Sequence, residues 1–147
     1  MNYEDWEAGV PTVFKEDSLW KMEVYRQALF AADLGWHDVT KLMKDRRIVG
    51  LLDQLYRALG SVSANIAEGY SRGTGKDRAR FYESRDWYYK GRHLLGEAVT
   101  IHRLELLTNT IRLLLKMIPQ QRNSTIRESE AAYDTDNSNI FTAVPLP

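Results

Sequence analysis

The chain has 147 residues, of which 44% are hydrophobic and 27% charged, ordinary values for a domain with its own core. No apolar run approaches the roughly 20 residues needed to span a bilayer, and the acidic first ten residues do not resemble a secretory signal peptide. The absence of cysteine excludes disulfides, thiolate catalysis and Cys-based zinc sites, and it favours a cytoplasmic protein.

The formal charge of zero is distributed unevenly along the chain. Residues 1–17 carry one basic and five acidic side chains, and residues 124–147 carry one and four. The middle carries 18 basic and 11 acidic side chains, a net charge of +7. This pattern is compatible with binding a polyanion, with acidic tails that mask the basic body, and with a solvated basic surface without a nucleic-acid partner.

The first predicted element is a flexible, acidic tail over residues 1–17, which show no sustained period. A first helix is expected to begin after Asp17 or Ser18, either of which can cap it, and to end near Leu42 or Met43. Its expected buried positions are Leu19, Met22, Tyr25, Leu29, Ala32, Trp36 and Val39. The polar residues 44–47 are predicted to form the turn that follows.

The second predicted helix has the most regular pattern. Its apolar positions step by four and three residues, as expected of a helix packed in a bundle. They are Ile48, Leu52, Leu55, Leu59, Val62 and Ile66. Gly69 and Gly73 predict the end of this helix.

Two further helices are predicted before Pro119. The third begins at a capping-box-like pair, Thr74 and Asp77, and ends at Gly96. Its expected inward positions are Phe81, Ser84, Trp87 or Tyr88, Gly91, Leu94 and Leu95. The fourth begins at Glu97, unless the boundary lies near His102 and Arg103. Its expected inward positions are Ile101, Leu104, Leu107, Ile111, Leu114 and Ile118.

Four helices of similar length with short connections predict an all-α fold, an up-down-up-down antiparallel four-helix bundle over residues 18–119. Residues 120–147 are polar and acidic, and they are predicted to form a flexible C-terminal tail. Two interpretations of its apolar end, residues 140–147, stay open: an untethered terminus, or a peptide that docks on a partner or a neighbouring subunit.

The sequence favours a non-enzymatic protein with no catalytic residues, no metal and no cofactor. His37, His93 and His102 share no metal-ligand spacing, and no Glu-x-x-His pair for a carboxylate-bridged site occurs. The run Gly-Thr-Gly-Lys at residues 73–76 is not a phosphate loop, because the first glycine that such a loop requires falls on Tyr70 and no strand precedes it.

Asn65, Glu68 and Gly69 form a distinctive polar group near the end of the second predicted helix. Asn65 and Glu68 are three residues apart and therefore share a helical face. They can clamp the hairpin to the third helix by bonding free amides or an arginine, or they can contact a ligand. The clamp is the preferred interpretation.

Residues 61–81, SVSANIAEGYSRGTGKDRARF, resemble the signature of the 23S rRNA intervening-sequence protein family, whose members are four-helix bundles. Members show a Gln-Leu-Arg-Arg-Ala-like run, then Ser-Val-x-x-Asn-Ile-Ala-Glu-Gly, then Arg-Phe, which correspond here to residues 54–58, 61–69 and 80–81. The resemblance covers about residues 18–122. It implies a homo-oligomer, usually a pentamer, that binds structured RNA or DNA. The chain is also similar to accessory proteins of diversity-generating retroelements, which act with a reverse transcriptase.

The chain departs from this family pattern after Phe81. Relatives continue with an Ala-x-Gly-Ser-x-x-Glu block, whereas here residues 83–90 follow almost at once, as if about two turns were missing. A missing stretch that is not a whole number of heptads rotates the remainder of the helix. Packing and subunit contacts after Phe81 are therefore the least transferable part of the resemblance.

The third predicted helix holds the candidate nucleic-acid-binding residues. Seven basic residues outnumber three acidic ones here: Arg72, Lys76, Arg78, Arg80, Arg85, Lys90 and Arg92 against Asp77, Glu83 and Asp86. Trp87, Tyr88 and Tyr89 are interleaved with them, and three consecutive aromatic residues cannot all face one core. At least one is expected either to stack on bases or to lie in a subunit interface.

Two functions follow from these observations. The first is an oligomeric bundle that binds RNA or DNA through its basic surface. The second is a protein-interaction scaffold, for example a partner of a reverse transcriptase, whose basic body serves its own acidic tails or an acidic partner without contacting nucleic acid.

Overall fold

The computed structural model describes residues 1–68, 75–117 and 138–147, and the side chains of residues 1–67, 80–116 and 139–147. Its α-helices are α1 (Tyr3–Gly9), α2 (Thr12–Lys15), α3 (Glu23–Leu42), α4 (Val49–Glu68), α5 (Gly75–Lys90), α6 (Arg92–Leu95), α7 (Glu97–Met117) and α8 (Ser138–Thr142). Two 3₁₀ turns, Ser18–Lys21 and Arg46–Ile48, precede α3 and α4. The described residues contain no strand, which confirms the all-α class, and no helix among them could cross a membrane.

The four long helices contact one another in a ring, α3 to α4, α4 to α5, α5 to α7 and α7 back to α3. Side-chain contacts between α3 and α7 run in opposite chain order, because Gln27 bonds Asn109 and Thr110 whereas Asp38 bonds Arg103. The two helices are therefore antiparallel. The up-down-up-down order of the whole bundle stays a prediction.

Helix α4 has the buried face that its sequence predicts. Leu52, Leu55, Leu59, Val62 and Ile66 are buried, and Ile48 is partly buried. Each of the five buried side chains stabilises the fold by about 1.5–3 kcal/mol relative to an exposed position. A glycine on α3 lets the helix pair approach closely, since a Cβ at Gly35 would lie 2.5 Å from Leu59 Cδ1.

Most positions predicted to be buried on α3 lie beside its buried face rather than on it. Trp36 is 60% exposed, and Leu29, Ala32 and Val39 are only partly buried. Tyr25 is buried as predicted, and the other buried positions are Val24, Gln27, Ala28, Phe30, Ala31, Leu34, Gly35, Asp38 and Leu42. Two of them are polar, so a search for apolar residues alone selected the neighbouring stripe.

In the first half of α7, the predicted buried positions again differ from those in the structure. Ile101 is 46% exposed and Leu104 is partly buried, whereas Leu107, Ile111 and Leu114 are buried as predicted. The buried face also contains Val99, Thr100, His102, Arg103, Leu106, Asn109 and Thr110. Polar residues again occupy core positions and hide the period from a hydrophobicity pattern. Ile118 and Pro119 lie outside the described residues.

The third predicted helix is divided in the structure. Helix α5 ends at Lys90, Gly91 follows as a turn, and the short α6 ends at Gly96, whose φ of 88° favours glycine. The predicted inward positions are confirmed, with Phe81, Ser84, Tyr88, Gly91 and Leu95 buried and Leu94 partly buried. The predicted cap at Thr74 and the glycines at 69 and 73 lie outside the described residues.

The N-terminus is not the flexible tail that was predicted, since α1 packs on the bundle. Trp6 is 7% exposed, and its Nε1 donates to Asp33 Oδ2 at 2.6 Å. Its ring lies 5.1 Å from that of Phe30. Tyr3 and Trp6 are three residues apart and form one aromatic face of a helix too short to show a period.

Candidate nucleic-acid interface

The predicted basic residues divide between described and undescribed parts of the chain. Arg72 lies outside the described residues, and for Lys76 and Arg78 only the backbone is described, in α5. The side chains of Arg80, Arg85, Lys90 and Arg92 are described. Arg80, Arg85 and Lys90 lie on α5, and Arg92 lies on α6.

Three of these cations lie on aromatic rings three residues earlier in the chain. Arg85 Cζ is 5.6 Å from the centre of the Tyr82 ring, Lys90 Nζ is 4.4 Å from that of Trp87, and Arg92 Cζ is 4.0 Å from that of Tyr89. Residues three apart are neighbours on a helix, so the spacing itself produces these contacts. The rings hold the charged groups against the helix surface.

The three pairs lie on two sides of α5. Tyr82, Arg85 and Tyr89 follow one another at intervals of three and four, and Arg92 continues this stripe into α6. Trp87 and Lys90 lie instead beside α4. Tyr82 is 42% exposed and Tyr89 is 55% exposed, so the stripe reaches solvent. We call Tyr82, Arg85, Tyr89 and Arg92 the cationic stripe.

Arg80 bridges α5 to α4. Its Nη1 donates to Ser61 Oγ at 2.9 Å, at the edge of a groove of about 390 Å³ between the two helices. The groove is lined by Gln54, Arg57, Ala58, Arg80, Glu83, Asp86, Trp87 and Lys90. Its two carboxylates offset most of the positive charge. The groove is therefore less suited to a polyanion than the cationic stripe.

The three consecutive aromatic residues have three different environments. Tyr89 is exposed, as the sequence predicts for at least one of them, and Trp87 is partly buried. Tyr88 is 1% exposed and points into the core. Tyr88 therefore occupies the inward position predicted for Trp87 or Tyr88, because the helix turns this ring towards α3 and α7. Base stacking or an interface contact stays a prediction for Trp87 and Tyr89.

Tyr88 belongs to a buried polar network that the sequence analysis missed. Its hydroxyl donates to Asp38 Oδ2 at 2.8 Å, and Arg103 donates to the two oxygens of the same carboxylate, from Nε at 2.7 Å and from Nη2 at 2.9 Å. Burial raises the pKa of Tyr88 well above 10, and the Asp38 charge raises it further. The network joins α3, α5 and α7.

A signal for this network exists in the sequence. Asp38 lies four residues after the buried Leu34, and Arg103 lies three before the buried Leu106. Opposite charges that occupy core positions of two amphipathic helices predict a buried ion pair. Asp38 and Arg103 are at most 1% exposed in the folded chain. The pair therefore connects α3 to α7 inside the protein.

The remaining predicted site residues are only partly described. Asn65 is partly buried on α4, whereas the Glu68 side chain and Gly69 lie outside the described residues. The clamp therefore stays a prediction. His37 and His93 are exposed and His102 is buried, and no cluster of metal-ligating side chains occurs in the part of the chain that the structure describes.

The described residues form an all-α arrangement of packed helices with a buried ion pair between α3 and α7. The family model of the 23S rRNA-intervening sequence protein matches residues 20–86. The resemblance predicted from residues 61–81 is thereby confirmed for the segment from the first 3₁₀ turn into α5.

The family match ends near the position where the sequence departs from the family pattern. It stops at residue 86, five residues after Phe81 and before α6 and α7. The predicted coverage to residue 122 is thus confirmed only in its first two thirds. No curated protein and no solved structure matches the chain.

Proposed function

We propose that this chain is a non-enzymatic, oligomeric helical bundle that binds structured RNA or DNA through phosphate contacts from its basic surface. The observation that carries the proposal is the cationic stripe. Arg85 on α5 and Arg92 on α6 are seven residues apart, and each is held by a tyrosine ring. Charged groups positioned in this way lose little conformational freedom when they meet a phosphate.

The ring contacts favour phosphate binding over base stacking. A base stacks on an open aromatic face, and here a guanidinium covers one face of Tyr82 and of Tyr89. Arginine donates several hydrogen bonds in a plane, which suits phosphate oxygens. The proposed contact is therefore to the nucleic-acid backbone, and it should depend on salt more than on sequence.

The test compares two double variants of equal charge. Arg85→Gln with Arg92→Gln removes two charges from the cationic stripe, and Lys44→Gln with Arg46→Gln removes two exposed charges at the α3–α4 connection. Binding to a labelled DNA duplex and to a labelled RNA hairpin is followed by fluorescence anisotropy at about four salt concentrations, from about 50 to about 200 mM. Each phosphate contact contributes roughly 0.9 to the slope of log affinity against log salt on a DNA duplex.

The expected result is weaker binding and a slope smaller by about two for the stripe variant, with little change for the control. Equal losses in both variants would indicate diffuse attraction by net charge. An affinity that does not change with salt would contradict the proposal for any basic surface of the chain.

A second candidate function is a protein-interaction scaffold, for example a partner of a reverse transcriptase. It is favoured by an exposed aromatic pair on the outer surface of α3 and α4, where the rings of Trp36 and Tyr56 lie 5.9 Å apart. Trp36 is 60% exposed and Tyr56 is 41% exposed. Exposed aromatic side chains of this size are enriched in protein interfaces.

Light scattering separates self-association through this pair from the nucleic-acid function. The native mass is measured for the chain and for Trp36→Ser with Tyr56→Ser, with and without added RNA. A mass that falls in the variant while the stripe still binds RNA assigns the aromatic pair to assembly. An unchanged mass contradicts that assignment, and a mass equal to one chain in the unaltered protein contradicts the predicted homo-oligomer.

A further inference from the structure

The last ten residues, 138–147, dock on the bundle, and we call them the C-terminal segment. Ile140 is 6% exposed within the core, and the ring of Phe141 meets that of Tyr3 edge-on at 5.1 Å. Contacts from α8 reach both α1 and α7. The apolar end of the chain, predicted to be untethered or to dock on a partner, is thus docked on its own bundle.

Two side chains of α7 bind this segment through its main chain. His102 Nε2 lies 2.7 Å from the carbonyl oxygen of Ile140, and Arg103 Nη2 donates to the carbonyl oxygen of Pro145 at 3.1 Å. A carbonyl only accepts, so Nε2 of His102 carries the proton. Its Nδ1 then accepts from Arg103 Nη1 at 2.7 Å.

The buried ion pair fixes these donors before any peptide arrives. Arg103 is 1% exposed, and the carboxylate of Asp38 holds its Nε and Nη2. Because the guanidinium is planar and rigid, the remaining N–H groups point in fixed directions towards His102 and Pro145. A peptide that binds here therefore meets a preorganised pair of donors and an apolar site for one side chain.

We infer that this surface of α1 and α7 is a binding site for a linear peptide, and that it accepts the C-terminal segment of a second copy of the chain as well as its own. The required ligand has an aliphatic residue followed by an aromatic one, with a proline five residues after the aliphatic residue. His102 and Arg103 bind its main chain. The inference goes beyond the nucleic-acid proposal, because the site contains none of the basic residues of α5.

The length of the connecting chain supports exchange between copies. Twenty residues, 118–137, lie between α7 and the C-terminal segment. Extended chain reaches up to about 3.5 Å per residue, so the connection allows up to about 70 Å. Helix α7, with 21 residues, is only about 31 Å long. The same segment can therefore reach its own site or that of an adjacent copy, and local concentration decides which is occupied.

The first experiment supplies the segment as a separate peptide. The full chain with Ile140→Asp and Phe141→Ser keeps its length but cannot seat its own segment, because a buried carboxylate would replace the aliphatic side chain. A fluorescein-labelled peptide of residues 138–147 is titrated with this variant and with the unaltered chain. We expect saturable binding to the variant and at least about tenfold weaker binding to the unaltered chain, whose own segment competes.

An unlabelled peptide of the natural sequence should displace the label, whereas a peptide with Ile140→Asp and Phe141→Ser should not. Circular dichroism establishes that the full-length variant is folded. A folded variant that does not bind the natural peptide overturns the inference, and so does equal competition by both peptides.

The second experiment needs no vacant site and uses the absence of cysteine from the chain. Two single variants, Tyr3→Cys and Phe141→Cys, replace rings whose centres are 5.1 Å apart. If segments exchange between copies, mixing the two variants and oxidising them should yield a cross-linked heterodimer. The matched control replaces Tyr3→Cys by Glu4→Cys, on the exposed side of α1.

The expected result is a heterodimer from the first mixture in clear excess over the control. If instead the double variant cross-links within one chain while the mixed single variants do not, the segment binds only its own bundle, and exchange between copies is contradicted.

Discussion

Two consecutive tyrosines on α5, Tyr88 and Tyr89, lie beside different arginines in opposite environments, one in the core and one at the surface. Tyr88 is 1% exposed and shares the carboxylate of Asp38 with Arg103, whereas Tyr89 is 55% exposed and lies beneath Arg92. One residue rotates the helix by about 100°. The first tyrosine therefore completes a buried network that holds three helices together, and the second positions a cation that remains at the surface.

The same residue types thus have different energetic consequences. A buried ion pair that loses one partner leaves an uncompensated charge in a medium of low polarity. An exposed cation on a ring is still solvated, and its removal costs little stability. The comparison assigns stability to the interior network and assigns the proposed polyanion binding to the surface pairs. The variants below test this division.

The largest expected effect is that of Asp38→Ala. The substitution leaves the charge of Arg103 buried and unpaired, and it should lower the free energy of unfolding by about 3–5 kcal/mol. The matched control is Asp53→Ala, which breaks an exposed i, i+4 pair with Arg57 at 3.1 Å and should cost less than about 1 kcal/mol. Urea unfolding followed by circular dichroism measures both, and equal losses would refute the distinction.

The next effect separates the two tyrosines directly. Tyr88→Phe removes the hydroxyl that donates to Asp38 at 2.8 Å, and it should cost about 1.5–3 kcal/mol because the acceptor is charged. Tyr89→Phe removes a hydroxyl from a ring that is more than half exposed and should change stability by less than about 0.5 kcal/mol. If the two variants unfold at the same urea concentration, Tyr88 does not contribute through its hydrogen bond.

Acid should weaken the buried network around His102, because a protonated Nδ1 no longer accepts from Arg103. Burial lowers the pKa of His102 below its ordinary value of 6.5, and the neighbouring charge of Arg103 lowers it further, although Asp38 and the Ile140 carbonyl oppose this. The folded protein therefore binds a proton less readily than the unfolded chain does. The contribution of His102 to stability is complete above pH 6.5 and is lost as the pH falls through its lowered pKa.

The measurement is the urea midpoint between pH 7.5 and 5, for the chain and for His102→Gln. Glutamine does not titrate, so its curve should be flatter over this interval, although it is less stable at pH 7.5. Parallel curves would show that other groups cause the acid response.

The smallest expected effect on stability is that of Arg92→Gln. Its guanidinium lies on Tyr89 and donates to the Tyr89 carbonyl at 2.9 Å, both at the surface. The substitution should change the free energy of unfolding by less than about 0.5 kcal/mol, because surface contacts of this kind contribute little. The proposed function predicts that the same substitution weakens binding to a nucleic-acid duplex at low salt. A large loss of stability would contradict the assignment of Arg92 to the surface.

Prediction from sequence succeeded where apolar residues alone determine the packing. The five leucine, valine and isoleucine positions of α4 from Leu52 to Ile66 are buried as expected, since nothing polar interrupts their spacing. It failed for most positions of α3 and for the first half of α7, where Gln27, Asp38 and Arg103 lie in the core. Each is compensated by a partner on another helix, and the spacing of apolar residues alone does not identify such a partner.

For the candidate site as well, contacts between residues close in sequence were predictable and contacts between distant residues were not. The cationic stripe could be expected, because its aromatic and basic residues are three apart within the single helix that the sequence predicts there. An inward position for Trp87 or Tyr88 was also expected, but the hydrogen bond of Tyr88 to a carboxylate 50 residues away in sequence was not. The docking of α1 was also missed, since two aromatic residues in a seven-residue helix are too few to define a period.

The contrasting environments of two tryptophans provide built-in optical reporters. The indole of Trp6 is buried and bonded to Asp33, so its emission follows the docking of α1. Trp36, on the outer surface of α3 beside Tyr56, emits from a mostly aqueous environment. A protein or a second copy that covers this surface would shift the emission of Trp36 to shorter wavelength, while local release of α1 would shift that of Trp6 to longer wavelength.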